Sequence, residues 1–304
     1  GTKDVYVELD WMNGHGPNLA AITNLKNAFS EAGIKLHVQY GEVDSITPIG
    51  TTPYHSDTIT TYLDTGGIQQ FDDLKKAHFG TIAERAVDNA AWGTHPTLTA
   101  RDHHLFAKKQ VFHYMMFIHS QTSDPASSGF AEIPGNDAAI SLGAFTGGVG
   151  SQDEYEGTFM HELGHNLGLY HGGASPSLNP ADGSYDNCKP NYLSVMSYSR
   201  QFSDFVSDRQ LRYSKSLPNA LNENAGLDEY AGVNPTIPAA QRIVYGVTLP
   251  SGQIINVTAV ADSSDINWNH SFDALGNPTY STNVLANINK LGISGCDVGD
   301  SIVG

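Results

Sequence analysis

The spacing of apolar residues divides the first part of the chain into strands and helices. Residues 4–12 alternate apolar and polar side chains, which is typical of a strand. Between Pro17 and Gly33 the apolar residues recur every three or four positions, which predicts a helix. Proline near the start of a helix and glycine at its end are both typical of helices. Ile34–Tyr40 then predicts a second strand, and the strongly apolar residues 111–118 predict a central strand.

The remaining pattern is weaker but still predicts elements. Residues 71–78 predict a short helix, and residues 138–144 predict another strand. A longer helix is predicted from about residue 157 to 169, with Thr158 as its N-cap. Residues 41–67 are rich in Thr, Pro and Gly and favour a loop. A further helix is predicted within residues 220–230, in a tail rich in Asn, Gly and Ser.

One run, from His161 to His171, reads H-E-x-x-H-x-x-G-x-x-H. His161 and His165 are four residues apart, so on a helix both imidazoles lie on one face and can bind one Zn²⁺. Glu162 lies beside that face, where its carboxylate can accept a proton. Gly168 tolerates the left-handed conformation that ends a helix. The chain can then return and supply His171 as a third ligand.

A second run, Ser194-Val195-Met196-Ser197-Tyr198, follows the first. The long histidine motif with a Ser-x-Met-x-Tyr turn resembles the metzincin zinc endopeptidases over residues 158–198. In that clan the methionine lies in a tight turn beneath the three histidines. In its astacin and serralysin families, the tyrosine at this place stabilises the oxyanion of the transition state. The alternative for Tyr198 is a buried side chain hydrogen-bonded for structure.

The resemblance implies a fold and an activity. The fold is α+β, with a twisted, mostly parallel sheet and two long helices in an upper subdomain, residues 1–171, and a loop-rich lower subdomain, residues 172–304. The activity is hydrolysis of peptide bonds by a secreted, zinc-dependent endopeptidase with Glu162 as general base. Its peptide substrate binds extended along the last strand of the upper subdomain, within residues 130–144. The alternative is a catalytically silent zinc-binding module for adhesion. Gly172, after the third histidine, matches none of the familiar metzincin families.

Composition and charge limit the classes of binding partner that we expect. Asp and Glu outnumber Lys and Arg by 32 to 16, which gives a net charge of −16. Such a field repels nucleic acid. No apolar stretch reaches the roughly 20 residues that a membrane span needs, and no signal peptide is recognised, so we expect a mature or trimmed chain. We expect a monomer.

Two residue sets leave alternatives open. Cys188 and Cys296 allow one disulfide, or two buried thiols. The segment 265–273 places oxygen side chains at alternate positions, which resembles a calcium loop lacking its usual glycine. Its calcium ligands would be Asp265, Asn267, Asn269 and Asp273. The alternative is a turn rich in Asn and Asp.

Overall fold

The computed structural model describes most of the chain. The described residues are 3–12, 14–41, 58–59, 69–86, 100–121, 124–174, 186–215, 221–231, 233, 241–260, 265–296 and 302–303. The chain forms two compact units, residues 1–167 and 168–304. The predicted division after residue 171 stays a prediction.

The first unit contains seven strands and five α-helices among its described residues. The strands are β1 (Lys3–Trp11), β2 (Ile34–Tyr40), β3 (Thr58–Ile59), β4 (Phe112–Ile118), β5 (Ser120–Gln121), β6 (Gly129–Ala131) and β7 (Asp137–Ser141). The helices are α1 (Leu19–Glu31), α2 (Gln69–His78), α3 (Ile82–Arg85), α4 (Ala100–Lys108) and α5 (Gln152–Asn166). None of the helices in the described part of the chain is long and apolar enough to cross a membrane.

A five-stranded sheet forms the centre of this unit, in the order β2-β1-β4-β7-β6. All neighbours are parallel except β6, which is antiparallel to β7. Strand β4 lies in the middle, and its residues 114–118 are buried. A strand covered on both faces is apolar throughout rather than alternating, which explains the run that predicted it. The mostly parallel sheet and its two longest helices, α1 and α5, confirm the predicted fold class.

The last strand of this unit, β7, is paired on both sides, with β4 and with β6. An added strand needs an unpaired edge. The expectation that a substrate pairs with the last strand is therefore corrected, because the edges of the described sheet are β2 and, beside β7, β6.

Helix α5 begins earlier than predicted. Its N-cap is Ser151, whose hydroxyl accepts the backbone N–H of Glu154 while the Glu154 carboxylate accepts the N–H of Ser151. This reciprocal pair of hydrogen bonds provides acceptors for two backbone N–H groups that have no partner within the helix. Thr158 was predicted as the N-cap, but it is a fully buried residue inside the helix. The prediction that Gly168 ends the helix in a left-handed conformation is confirmed. Gly168 follows the C-cap and has a φ of 87°.

The second unit is built from short elements and one long hairpin. Its elements are β8 (Leu169–Tyr170), β9 (Gly173–Ala174), α6 (Tyr198–Gln201), β10 (Leu221–Asn222), β11 (Arg242–Thr248), β12 (Ile254–Val260) and β13 (Ile302–Val303). Strands β11 and β12 pair antiparallel, and the buried face of β11 packs with Trp268 and Ile288. The helix predicted within residues 220–230 is wrong. Residues 221–222 form β10, and the Asn222 side chain then accepts the N–H of Ala225 in a turn.

Cys188 and Cys296 form a disulfide within the second unit, which confirms the bridge as the correct alternative. Their Cα atoms are 5.5 Å apart, and 108 residues separate them in sequence. Both cysteines are fully buried beside Val206, Val244 and Leu291. The bridge joins the segment before the Ser194–Tyr198 turn to the far end of the chain.

Removing this bridge is expected to lower the melting temperature strongly. Chain-entropy models give about 4–5 kcal/mol for a closed loop of this length, although measured gains are often smaller. Thermal unfolding of the Cys188→Ala/Cys296→Ala variant, with the same metal content as wild type, measures the loss. A reductant should lower the melting temperature of the wild type and leave that of the variant unchanged. An equal response of both proteins to the reductant would contradict the prediction.

Candidate functional site

The three motif histidines come together in the structure. His161, His165 and His171 each offer one ring nitrogen, and these atoms lie within 4.8 Å of one another. The Nε2 atoms of His161 and His165 are 3.1 Å apart, with their rings nearly perpendicular. His161 and His165 are buried, and His171 is half-buried. The predicted ligand set is therefore assembled by the α5 helix and the turn after Gly168.

This donor set fits a zinc ion. Two ligands at about 2.0–2.1 Å from a tetrahedral zinc lie roughly 3.3 Å apart, close to the separation of the two helical nitrogens. Neutral imidazole nitrogens suit zinc and other borderline metals, whereas calcium and magnesium prefer oxygen. Among the described residues, no other group of three or more His, Cys, Asp or Glu side chains could hold a metal ion. The residues that would hold zinc are thus His161, His165 and His171.

Polar contacts fix helix α5 near both ends. Near its start, Glu156 accepts hydrogen bonds from the side chains of Asn24 on α1 and Gln152 on α5, both at 2.8 Å. At its end, the Asn166 amide group donates to the carbonyl oxygens of Glu132 and Asp137, at 3.1 and 2.9 Å. The helix is thereby attached to α1 and to the β6–β7 connection. These contacts therefore fix the position of the helix that carries His161, Glu162 and His165.

Asn166 was missed by the sequence reasoning. It follows the second histidine directly, and it is buried at the end of the helix. Its carbonyl oxygen accepts the backbone N–H of Gly135, which adds a third link to the β6–β7 connection. A polar residue near the end of the predicted helix was readable from the sequence, but its burial was not. Its partners were not readable, since they lie about 30 residues earlier in the chain.

The Glu162 carboxyl group belongs to a buried residue. Only 4% of the Glu162 surface is exposed to solvent. Burial penalises the charged form and raises the pKa of Glu162 to about 8. A divalent cation on the neighbouring histidines would oppose this shift, since an opposite charge nearby favours the carboxylate. Burial beside a metal is the setting in which a carboxylate can serve as a proton acceptor near neutral pH.

The Ser194–Ser197 segment forms a tight turn. The Ser197 N–H donates to the Ser194 carbonyl oxygen at 3.1 Å, and the Ser194 hydroxyl accepts the Met196 N–H at 3.2 Å. The Val195 N–H donates to the carbonyl oxygen of Arg212, which fixes the turn to a neighbouring segment. The Met196 side chain is fully buried. The turn expected from the second motif is therefore present.

Tyr198 packs directly on the third histidine. The ring centroids of His171 and Tyr198 are 4.5 Å apart. The Tyr198 N–H donates to the Oδ1 atom of Asn187 at 2.9 Å. Behind the ring lies Gly295, where an added Cβ would stand 2.6 Å from a Tyr198 ring carbon. Both supporting residues adjoin the disulfide, because Asn187 precedes Cys188 and Gly295 precedes Cys296.

The segment 265–273 forms a turn rich in Asn and Asp. The Asn267 and Asn269 side-chain oxygens both accept the Ser271 N–H, at 2.8 and 3.0 Å. Asp273 accepts the N–H groups of Leu275 and Asn277, each at 2.8 Å. The Asn277 side-chain amide also donates to Asp273 Oδ2 at 3.0 Å, and the hydrogen bonds from the Asn277 side chain and backbone lower the pKa of Asp273.

The turn interpretation therefore accounts for this segment. Three of the four predicted calcium ligands, Asn267, Asn269 and Asp273, use side-chain oxygens to accept N–H groups of the turn itself. Asp265, the fourth, has a φ of 71°, a backbone conformation typical of Asn and Asp in turns. The structure gives the calcium interpretation no support.

Comparison with known proteins shows that the part of the chain carrying the site is similar to a family of enzymes. Residues 136–224 match the model of metallo-peptidase family M12B, reprolysin-like. This span contains both motifs and confirms the resemblance to metzincin-type zinc metallopeptidases. No curated protein matches the chain.

Two solved structures of archaeal proteins are similar to the chain. One is archaemetzincin from Methanopyrus kandleri, with 14% identity over 71% of this chain and 91% of that protein, and a TM-score of 0.33. The other is a zinc-dependent peptidase from Methanocorpusculum labreanum, with 11% identity over 69% of this chain and 96% of that protein, and a TM-score of 0.36.

Proposed function

From the match of residues 136–224 to a metallopeptidase family, we propose that this protein is a secreted, zinc-dependent endopeptidase. The observation that carries the proposal is the juxtaposition on one helix of two zinc-ligating histidines and the carboxyl group of Glu162. His171 completes the set, with all three ring nitrogens within 4.8 Å. Zinc bound there would polarise the carbonyl group of a peptide bond and make a water molecule more acidic.

Glu162 is the proton carrier of the proposed reaction. Its carboxylate accepts a proton from the attacking water and then delivers that proton to the nitrogen of the departing amine. No proton is lost during these reaction steps, and one water molecule is consumed for each peptide bond broken. Glu162 is only 4% exposed, which would limit exchange of this proton with bulk solvent.

The edge strand β6 is the proposed binding strand for the substrate. It ends the described sheet on the side of β7, and helix α5 packs against both strands. An extended peptide can add to such an edge through backbone hydrogen bonds, which recognise any sequence. This mode suits an endopeptidase, because it needs neither end of the substrate chain.

The experiment that tests the function is cleavage of unfolded casein by the purified protein. Internal fragments, their loss after treatment with a zinc chelator and their return with added zinc are the expected results. Release of single terminal amino acids without internal fragments would overturn the endopeptidase assignment. Zinc binding without any cleavage would instead indicate the silent zinc-binding module.

Tyr198→Phe is expected to lower kcat with little change in KM. The proposed role of the hydroxyl group is to stabilise the oxyanion, a contact made in the transition state only. Loss of one such donor commonly lowers kcat by about 10²–10³-fold. Steady-state kinetics on a quenched peptide measure both constants, and Tyr230→Phe, a change at an exposed tyrosine of the same unit, is the control. An unchanged kcat would assign Tyr198 a packing role.

A further inference from the structure

Gly129, on the edge strand β6, lies directly against the carboxyl group of Glu162. A Cβ atom at this position would be 2.7 Å from Glu162 Oε1 and 2.9 Å from its Cδ. It would also be 2.6 Å from the carbonyl oxygen of Ala139 on β7. Contacts this short are not tolerated, so any side chain at residue 129 must displace one of these groups.

The alternation of β6 explains why this position faces the helix. Successive residues of a strand point to opposite faces. The Phe130 ring packs against Phe71 of α2, with ring centroids 5.9 Å apart. Gly129 consequently faces α5, and the Glu162 side chain of that helix points toward β6. The strand pairing also fixes this register, because Gly129 lies opposite Ile140 on β7.

We propose that Gly129 is a positioning residue for the general base. Because residue 129 has no side chain, the Glu162 carboxylate can lie between α5 and the edge strand. The strand then limits how far the carboxylate can move away from the histidine ligands. This inference rests on the proposed function for the role of Glu162, while the contact itself is independent of any activity.

The contact distances set the size of the expected effect. Ordinary van der Waals contact begins at 3.4 Å, so a methyl group at residue 129 must push the carboxylate by about 0.7 Å. A misplacement of about 1 Å can lower a reaction rate about 10²-fold. None of the three atoms nearest to the added methyl group belongs to a zinc ligand. We therefore expect Gly129→Ala to lower kcat roughly 10–100-fold, with KM and zinc affinity within about twofold of wild type.

Gly16→Ala is the matched control for this substitution. Gly16 belongs to the same unit, and the three atoms nearest to an added Cβ there all belong to the Trp11 ring, at 3.4–3.8 Å. This variant should keep wild-type kcat. A folded, zinc-loaded Gly129→Ala protein with wild-type kcat would overturn the proposal.

A thermal double-mutant cycle separates the contact with Glu162 from the contact with Ala139. Glu162→Asp shortens the side chain by one methylene group and leaves the Ala139 carbonyl oxygen in place. Gly129→Ala should therefore lower the melting temperature less in the Glu162→Asp background than in wild type. Equal losses would show that Glu162 plays no part in the requirement for glycine, and would overturn the proposal.

The cycle remains decisive even if Gly129→Ala does not fold alone. Folded protein from the double variant would then support the contact, and failure of both variants would overturn it. The melting temperatures do not depend on peptide hydrolysis. Failure of the positioning role and failure of the proposed function are thus distinguishable.

Discussion

Glu162→Gln is expected to lower the rate of peptide hydrolysis strongly while one zinc ion per chain stays bound. Glutamine has the shape of glutamate but cannot accept the proton of the attacking water. His161, His165 and His171 are unchanged, so the ligand set persists. Loss of a general acid–base group lowers the rate by about 10²–10⁴-fold. Cleavage of a quenched peptide, together with metal analysis of the same sample, measures both parts of the prediction.

Asp153→Asn is the matched control for this substitution. It makes the same change from carboxylate to amide on the same helix, two turns before the histidines. Asp153 lies in the first turn of α5, so its replacement should leave kcat near that of wild type. Hydrolysis at the wild-type rate by zinc-loaded Glu162→Gln protein would remove Glu162 from the proposed reaction.

His171→Ala is expected to weaken zinc binding by well over tenfold. Loss of a residue that merely orients a ligand already costs about 10–100-fold in metal affinity, and loss of a ligand removes a coordinate bond outright. Competition with a chromophoric chelator measures the affinity. Because zinc binds the folded state, the variant should also gain less thermal stability from added zinc.

His37→Ala is the control, since His37 lies on β2 and pairs with Asp4 outside the histidine cluster. It should bind zinc as wild type does. If His171→Ala bound zinc as tightly as wild type while His161→Ala did not, the site would have only two histidine ligands. The extended motif would then be a coincidence of spacing.

The sequence predicted those parts of the site whose residues lie close together in the chain. His161, Glu162 and His165 are neighbours on one helix, so their geometry follows from the helical repeat. The end of that helix was predicted at Gly168, because few residues other than glycine adopt its φ of 87°. Its start was misplaced, although the pattern of Ser151 and Glu154 was readable as a capping box.

The long hairpin of the second unit was missed for a different reason. Residues 243–247 are mostly β-branched or aromatic, and Pro250 and Gly252 lie between the two strands. This is a strand and turn signal. The abundance of Asn, Gly and Ser in the tail favoured a loop instead, since composition averages over such local runs.

The contacts made at a distance could not be predicted. Gly129 and Glu162 meet because β6 pairs antiparallel with β7 at the edge of the sheet. Nothing in the residues near Gly129 indicates which strand becomes that edge. Tyr198 and Gly295 meet through a segment that returns from almost 100 residues away, and the disulfide that holds it was one of two alternatives.

The placement of Tyr198 between Asn187 and Gly295 has a consequence for protein engineering. A shortened version that ends before Gly295 would lose more than a peripheral strand. It would lose the bridge and the backbone that supports one side of the Tyr198 ring. Cys188 would then become an unpaired thiol beside the residue that holds the Tyr198 amide. Designs that trim, permute or fuse this chain should therefore keep the Gly295–Cys296 segment intact and fold it under oxidising conditions.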